Sequence, residues 1–343
     1  MRPSFFRHLH PPTIPARQAR FRYTLGAGGV SVFLVLVLLI TGILEMFYYI
    51  PTPDGAALSI QSLTYLVPFG GFVRNLHYWA AQLLVVSASI HLLRVLFTGA
   101  YNRPRRLNYL LGLALLILAL LLDFSGYVLR WDQGIHWALV AGTNLLKTIP
   151  LVGSGLYGLV MGGSGISGAS LIRFYAWHIF GLTLALIGIG VWHIFRVRRD
   201  GGIAVPPPGL RTEGQRISRD ELVRREILAA ILVAVWLILL ASFWPAPIAA
   251  PLDRVAESTV DSQAPWFFLW IQQLLRWGDP LIFGVLLPAA LVLVLALIPF
   301  ILPAKEPSDL GRWFPPTGRL AQIVGAFSLL ALLGLTTLAL MGS

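Results

Sequence analysis

Apolar residues fall into seven long runs broken by polar, Pro-rich or Gly-rich stretches. The runs lie near residues 28–49, 76–98, 108–129, 172–196, 226–244, 280–302 and 319–341. About 20 residues at ~1.5 Å each cross a hydrocarbon core, so each run predicts a transmembrane helix. Residues 1–23 hold five Arg, no acid and no apolar run. No cleavable signal is therefore expected, and the first span is itself the anchor.

Basic residues orient the spans. They cluster before the first span (Arg2, Arg7, Arg17, Arg20, Arg22) and between the second and third (Arg103, Arg105, Arg106). They recur between the fourth and fifth (Arg196, Arg198, Arg199, Arg211, Arg216, Arg219, Arg224, Arg225) and the sixth and seventh (Lys305, Arg312). All four segments share one side if seven spans alternate. The expected protein is multi-pass in the inner (cytoplasmic) membrane, N-terminus cytoplasmic and C-terminus outside. The opposite connections, about 130–171 and 245–279, are too long for simple turns and are the expected functional loops. The run Val205–Gly209 and the charges up to Arg225 suggest a division into 1–204, a cytoplasmic linker 205–225, and 226–343.

Composition narrows the classes. Hydrophobic residues make up 57% of the 343, charged residues 12%, and mean hydropathy is +0.75, which excludes a soluble enzyme, a nucleic-acid binder and a disordered scaffold. The net charge of +11 resides mostly in loops, so it signals orientation and not nucleic acid. The absence of Cys excludes disulfides, thiol catalysis, an iron–sulfur cluster held by this chain and thioether-linked heme.

Four of the seven His lie inside spans: His77 and His91 in the second, His178 and His193 in the fourth. An ionisable group in a span is a functional candidate, although a single His often just bonds a neighbouring helix. The pairing changes that. Fourteen residues separate the first two, which places them about 40° and ~21 Å apart on a helix. Fifteen separate the others, about 60° and ~22 Å. Antiparallel helices then set His77 opposite His178 and His91 opposite His193. Zinc would want three or four clustered ligands. Two imidazoles per site, on facing helices, suit heme iron. Gly28 and Gly42 are also 14 apart, as are Gly112 and Gly126, and glycine lets a backbone approach a ligand closely. The alternative for these glycines is helix packing. Arg74, Arg94 and Arg173 sit near the histidines, either pairing with heme propionates or anchoring at the interface.

The runs RNLHYW, IHLLRVLFTGAYNRPRRL, GYVLRWDQ, RFYAWHIF and QAPWFFLWIQQLLR follow in order. They resemble cytochrome b of the Rieske/cytochrome b (bc-type) complexes, in particular the short chloroplast-type form fused to its usually separate subunit IV. The resemblance implies an all-α bundle of seven spans whose first four hold two non-covalent heme b groups. It implies that His77 and His178 hold a low-potential heme near the outer side, and His91 and His193 a high-potential heme near the cytoplasm. It implies electron exchange with the membrane quinone/quinol pool. It further implies partner redox subunits (a Rieske iron–sulfur protein, a cytochrome c or another extrinsic oxidoreductase), surrounding lipid and a homodimer.

This sequence departs from the family at two places. The family's Pro-Trp is Arg130-Trp131, followed by the matching Asp132-Gln133. The family's PEWY quartet reads Ala264-Pro265-Trp266-Phe267, without its acid. A proton acceptor must lie within hydrogen-bond reach of a quinol hydroxyl. His136 is the first substitute to test, then Asp132 and Asp123, the last being also a possible partner for Arg130. Arg130, Trp131, Trp266 and Phe267, with Phe268, are expected to line a slot for a flat ring. Arg199, Asp220 and Glu226 are weaker candidates for a cytoplasmic quinone site. GGSGISG at 162–168 is expected to be flexible surface, Glu45 and Asp279 snorkelling or interface residues, and His8 and His10 unstructured. Two other readings stay open: a heme-bearing, quinone-interacting membrane anchor of a non-Rieske oxidoreductase, and a transporter whose histidines relay protons.

Overall fold

The computed structural model describes residues 12–16, 19–200, 216–252, 263–301 and 312–342. Arg2, Arg7, His8, His10, Arg17, Val205–Gly209, Arg211 and Lys305 lie outside them. The described chain is an all-α bundle with seven helices long and apolar enough to cross a membrane. They are α1 (Ala27–Met46), α3 (Gly70–Thr98), α4 (Arg106–Leu129), α7 (Gly168–Arg199), α8 (Arg219–Phe243), α10 (Leu281–Ile301) and α11 (Pro316–Met341). Shorter helices fill the long connections: α2 (Ala56–Tyr65), α5 (His136–Lys147), α6 (Gly153–Met161) and α9 (Trp266–Leu275). A two-stranded ribbon, β1 (Thr13–Pro15) with β2 (Arg216–Ser218), joins the start of the chain to the start of α8.

Helix ends follow local chemistry. Gly99 takes φ +60° after α3, and its amide and that of Ala100 bond the Leu96 and Val95 carbonyls, a C-terminal cap that favours glycine. Ser218 caps α8 by accepting from the Glu221 amide, with Asp220 and Glu221 in the positive first turn. Asp279 is an N-cap as well, its Oδ1 accepting from Leu281 and Ile282 amides, instead of a snorkelling side chain. The GGSGISG stretch is an ordered turn: Gly162 at φ +77° ends α6, and Ser167 and Ser170 form a capping box for α7.

The first four spans form a four-helix bundle. α1 packs on α3, α3 on α4, and α4 on α7. α8 lies against α1 and α3, α11 against α3 and α9, and α10 against α4. With no hydrophobic drive between helices in lipid, small residues set the closest approaches. Ala80 and Ala119 are buried with Leu34, Leu84 and Leu237 at mid-height, and Gly325 faces Leu96 and Phe97. Exposed Leu228, Ile231, Leu232, Val235 and Trp236 cover the outer faces of α8, as expected where the solvent is lipid. At one end, α2, α4, α5, α6 and α7 bury Trp131, Ile135, Leu139, Met161 and Leu171 in one apolar cluster.

Candidate functional site

Each histidine pair meets inside the bundle. The rings of His77 and His178 are 6.3 Å apart centre to centre. Those of His91 and His193 are 6.4 Å apart. The pairing expected from the spacing is thus the one formed. α7 is not regular at His178: Trp177–Gly181 is a π turn, and the Thr183 hydroxyl donates to the His178 carbonyl. A π turn takes up one extra residue. Fifteen residues here therefore behave as fourteen, and the 60° offset expected of a straight helix is corrected to that of the His77–His91 step.

The nitrogens are oriented by their neighbours. Thr41 donates its hydroxyl to the Val37 carbonyl and accepts from His77 Nδ1 at 2.9 Å. Ser125 donates to the Leu122 carbonyl and accepts from His178 Nδ1 at 2.9 Å. His193 Nδ1 donates to the Asn108 carbonyl at 3.1 Å. In these three rings the proton is on Nδ1, which leaves the lone pair on Nε2 for a metal. His91 Nδ1 is buried without a hydrogen-bond partner among the described residues.

The four glycines face the four rings. A Cβ on Gly28 would lie 3.2 Å from His91 Cε1, on Gly42 3.2 Å from His77 Cε1, on Gly112 3.2 Å from His193 Cε1 and on Gly126 2.9 Å from His178 Cε1. What each glycine clears first is an imidazole. The ring separations of 6.3 and 6.4 Å would let one metal ion sit between each pair of facing imidazoles, the donor set that suits heme iron. Among the described residues no three His, Cys, Asp or Glu cluster as a metal site.

A cavity of about 340 Å³ adjoins the His77–His178 pair. His77, His178, Gly42, Gly126, Arg74, Glu45, Gln82, Asp123, Tyr127, Arg130, Pro265, Trp266 and Phe267 line it. Asp123 reaches it within a polar chain: Trp266 Nε1 donates to Gln82 Oε1, and Gln82 Nε2 donates to Asp123 at 3.1 Å. Several expected members lie elsewhere. Asp123 does not pair with Arg130; the Arg130 partner is Asp132, at 2.7 Å. Asp132 also accepts from the Ala249 amide and, like His136 at the start of α5, is not among the lining residues. Trp131, at φ +48°, turns into the apolar cluster beneath α5 and does not line the slot. Phe268 packs edge-on to Phe124 and Phe267.

The three arginines differ. Arg74 lines the cavity while donating to the Ala246 and Pro247 carbonyls. Arg94, over the Tyr23 ring at 4.4 Å, donates Nε to the Tyr23 carbonyl and keeps Nη2 buried without a partner among the described residues. Arg173 donates to the Gly158 and Leu159 carbonyls and ties α6 to α7, away from the cavity lining. On the other side of the bundle Arg199 pairs with Asp200, and Glu226 packs against Gly29. Glu45, Gln82 and Tyr127 were not singled out as site residues by sequence; the acid three residues past Gly42 was the available signal for Glu45.

The chain is similar to several known proteins. Cytochrome b6 of Heliobacterium mobile is 38% identical over 192 residues, 56% of this chain and 88% of its own length. The menaquinol:cytochrome c reductase cytochrome b subunit of Bacillus subtilis (strain 168) is 37% identical over 175 residues, 51% of this chain and 78% of its own. A hyperthermophilic respiratory Complex III chain superposes with a TM-score of 0.75 at 20% identity, covering 93% of this chain and 91% of that one, a likeness of fold. The cytochrome b/b6/petB family matches residues 15–201. That stretch holds all four buried histidines and the four glycines that face them, and this multi-pass membrane chain belongs to the cytochrome b family.

Proposed function

We propose that the chain is the diheme cytochrome b subunit of a quinol/quinone oxidoreductase complex of bc type. The observation that carries this is the two buried histidine pairs, at 6.3 and 6.4 Å, stacked along the same two helices. Family membership implies heme b. His77 with His178, and His91 with His193, would hold two non-covalent hemes, which would supply one-electron transfer when bound. Thr41, Ser125 and Asn108 fix the tautomer and raise ligand basicity. The free Nη2 of Arg94 suits a propionate, and the Arg74 guanidinium stands at the cavity for another. The pairs are ~21 Å apart along the axis, most of a ~30 Å hydrocarbon core, so hemes held there would carry electrons across the membrane.

In this reading the part of the cavity between His77 and His178 would take the heme, and its end at Pro265, Trp266 and Phe267 would be the outer quinone site. Trp266 and Phe267 supply apolar walls, and Asp123 is the proton acceptor among the three first considered, because it alone lines the cavity. Quinone exchange is supported by the name of the Bacillus subtilis relative, which couples menaquinol to cytochrome c. Partners in this reading are an extrinsic redox subunit of Rieske or cytochrome c type, membrane lipid and a second copy of the chain. The N-terminus is cytoplasmic and the C-terminus outside, in the inner membrane. The division into 1–204, 205–225 and 226–343 belongs to the same proposal, the family match ending near the first boundary. A second reading, the heme-bearing anchor of a non-Rieske oxidoreductase, is favoured by Pro265 where the family has its acid.

Pyridine hemochrome of the purified complex should give two b hemes per chain. His91→Ala should leave one, and the survivor should still be reduced by quinol from the outer side. One heme in the unaltered protein, or no change in the variant, contradicts the diheme reading.

A further inference from the structure

Four positions lie halfway between the two histidine levels. Val35 is seven residues from both Gly28 and Gly42, Leu84 from both His77 and His91, and Ala119 from both Gly112 and Gly126. Leu186 is seven residues before His193 and eight after His178, the extra residue being the one the π turn absorbs. Seven residues turn a helix by about 700°, ~20° short of two full turns. Each of the four positions therefore faces the way the histidines and their glycines do, into the bundle, about 10.5 Å from either level.

The cavity ends at these same four residues. Its innermost lining residue is Val35 on α1, Leu84 on α3, Ala119 on α4 and Leu186 on α7, while Gly28, His91, Gly112 and His193 are not part of its lining. Leu84, Ala119 and Leu186 are buried. Val35 packs against the cluster of Leu34, Ala80, Leu84, Ala119 and Leu237. The layer is made by packed side chains, whatever fills the space outside it.

Polar groups approach the layer from both sides and stop. From the outer connection, Trp266 donates to Gln82 and Gln82 to Asp123; Asp123 is four residues from Ala119, about 6 Å along the axis. From the other side, the Ser31 and Ser87 hydroxyls share a hydrogen bond of 2.8 Å between α1 and α3; Ser87 is three residues from Leu84, about 4.5 Å. A proton moves along polar side chains or along water, and buried water stays only where polar partners hold it. An aliphatic constriction between two polar stretches is dry.

We propose that Val35, Leu84, Ala119 and Leu186 form a proton barrier: a dry aliphatic layer at mid-membrane that keeps the polar chain of Trp266, Gln82 and Asp123 from joining the Ser31–Ser87 pair. The bundle thereby passes electrons and holds back protons. The electron half of that statement rests on the diheme reading above; the barrier is a property of the side chains alone.

The test is the proton leak of liposomes carrying the intact complex, oxidised and without quinol, read by an internal pH dye under a potassium diffusion potential. Leu84→Asn, Ala119→Ser and the pair together are compared with Leu84→Val, and heme per chain is measured in each. The unaltered complex and Leu84→Val should be as tight as protein-free liposomes. Each polar variant should keep two hemes and raise the leak by roughly tenfold, the worth of one added hydrogen bond on a barrier, and the pair should raise it further. An unchanged leak in the double variant with both hemes in place would overturn the proposal. So would an equal rise in Leu84→Val, which would make the effect one of volume, or heme loss in every polar variant, which would mark the layer as packing alone. A single heme in the unaltered complex would instead sink the diheme reading and leave the leak comparison to decide the barrier.

Discussion

At Gly126 one added methyl group would press on the ring proposed to hold iron. A Cβ there would stand 2.9 Å from His178 Cε1, closer than real side chains pack. The ring cannot yield freely, because the neighbouring Ser125 holds its Nδ1. Moving it would break that bond and turn Nε2 away from His77. We predict that Gly126→Ala loses the outer heme and keeps the inner one, giving one heme per chain by pyridine hemochrome. Gly112→Ala, at 3.2 Å from His193, should retain both and only shift the potential of the inner heme in a redox titration; equal heme loss in the two variants would contradict this. The glycine spacing was legible in the sequence, because it repeats the histidine spacing. What the glycines clear was not: the pattern suggested a porphyrin, and the first neighbour is an imidazole. The Nδ1 acceptors Thr41, Ser125 and Asn108 were also hidden, since a hydroxyl in a span usually bonds its own helix, as Thr41 does with Val37.

At the scale of the element, α7 solves a counting problem. Fourteen residues fall about 40° short of four turns, whereas fifteen overshoot by about 60°. A straight α7 would set His193 about 100° away from the direction that matches His91. The π turn Trp177–Gly181 absorbs the extra residue just where His178 sits. We predict that deleting Phe180, a residue 67% exposed on the outer face, lets this stretch close into a regular helix with a fourteen-residue step and keeps two hemes. Inserting one Ala after Gly188 adds a further 100° with no second π turn to absorb it, and should cost one heme. The check is heme per chain in both variants; loss of heme in the deletion, or two hemes in the insertion, would contradict the register argument. Span existence was readable, and span limits to within seven residues, because apolar length is a strong signal. A π turn has no such signal, since it is set by which side chains must face each other across the bundle.

At the scale of the whole molecule, the segment after α8 stitches the second half of the chain to the first. Trp79 donates to the Trp244 carbonyl at 2.7 Å, Asn75 to Ala241 at 2.8 Å, and the Ala246 amide returns a bond to Asn75 at 2.9 Å. Backbone bonds continue the seam, Gln133 to Ala250 at 2.9 Å and Leu252 to Trp131 at 3.1 Å. Asp132 stands at its centre, its side chain 3% exposed, paired to Arg130 and accepting from Ala249. The family departure at Arg130 thus has a physical account: its charge is neutralised by Asp132 in the seam. The halves are held by these contacts and by helix packing, so the covalent link between residues 200 and 216 should be dispensable. We predict that fragments 1–204 and 205–343, expressed together, co-purify from membranes with two hemes. Arg130 and Asp132 both belong to the first fragment, so what Asp132 gives the junction is the bond it accepts from the Ala249 amide, worth about 1.5–3 kcal/mol for a charged acceptor. Asp132→Ala should therefore weaken the fragment pair by roughly 10–10²-fold, while the same change in the unbroken chain, where the link keeps the halves at high effective concentration, should still yield two hemes. Co-purification from detergent at falling protein concentration measures the difference. Fragments that stay together equally well with and without Asp132 would show that helix packing alone joins the halves, and that the seam does something other than hold them.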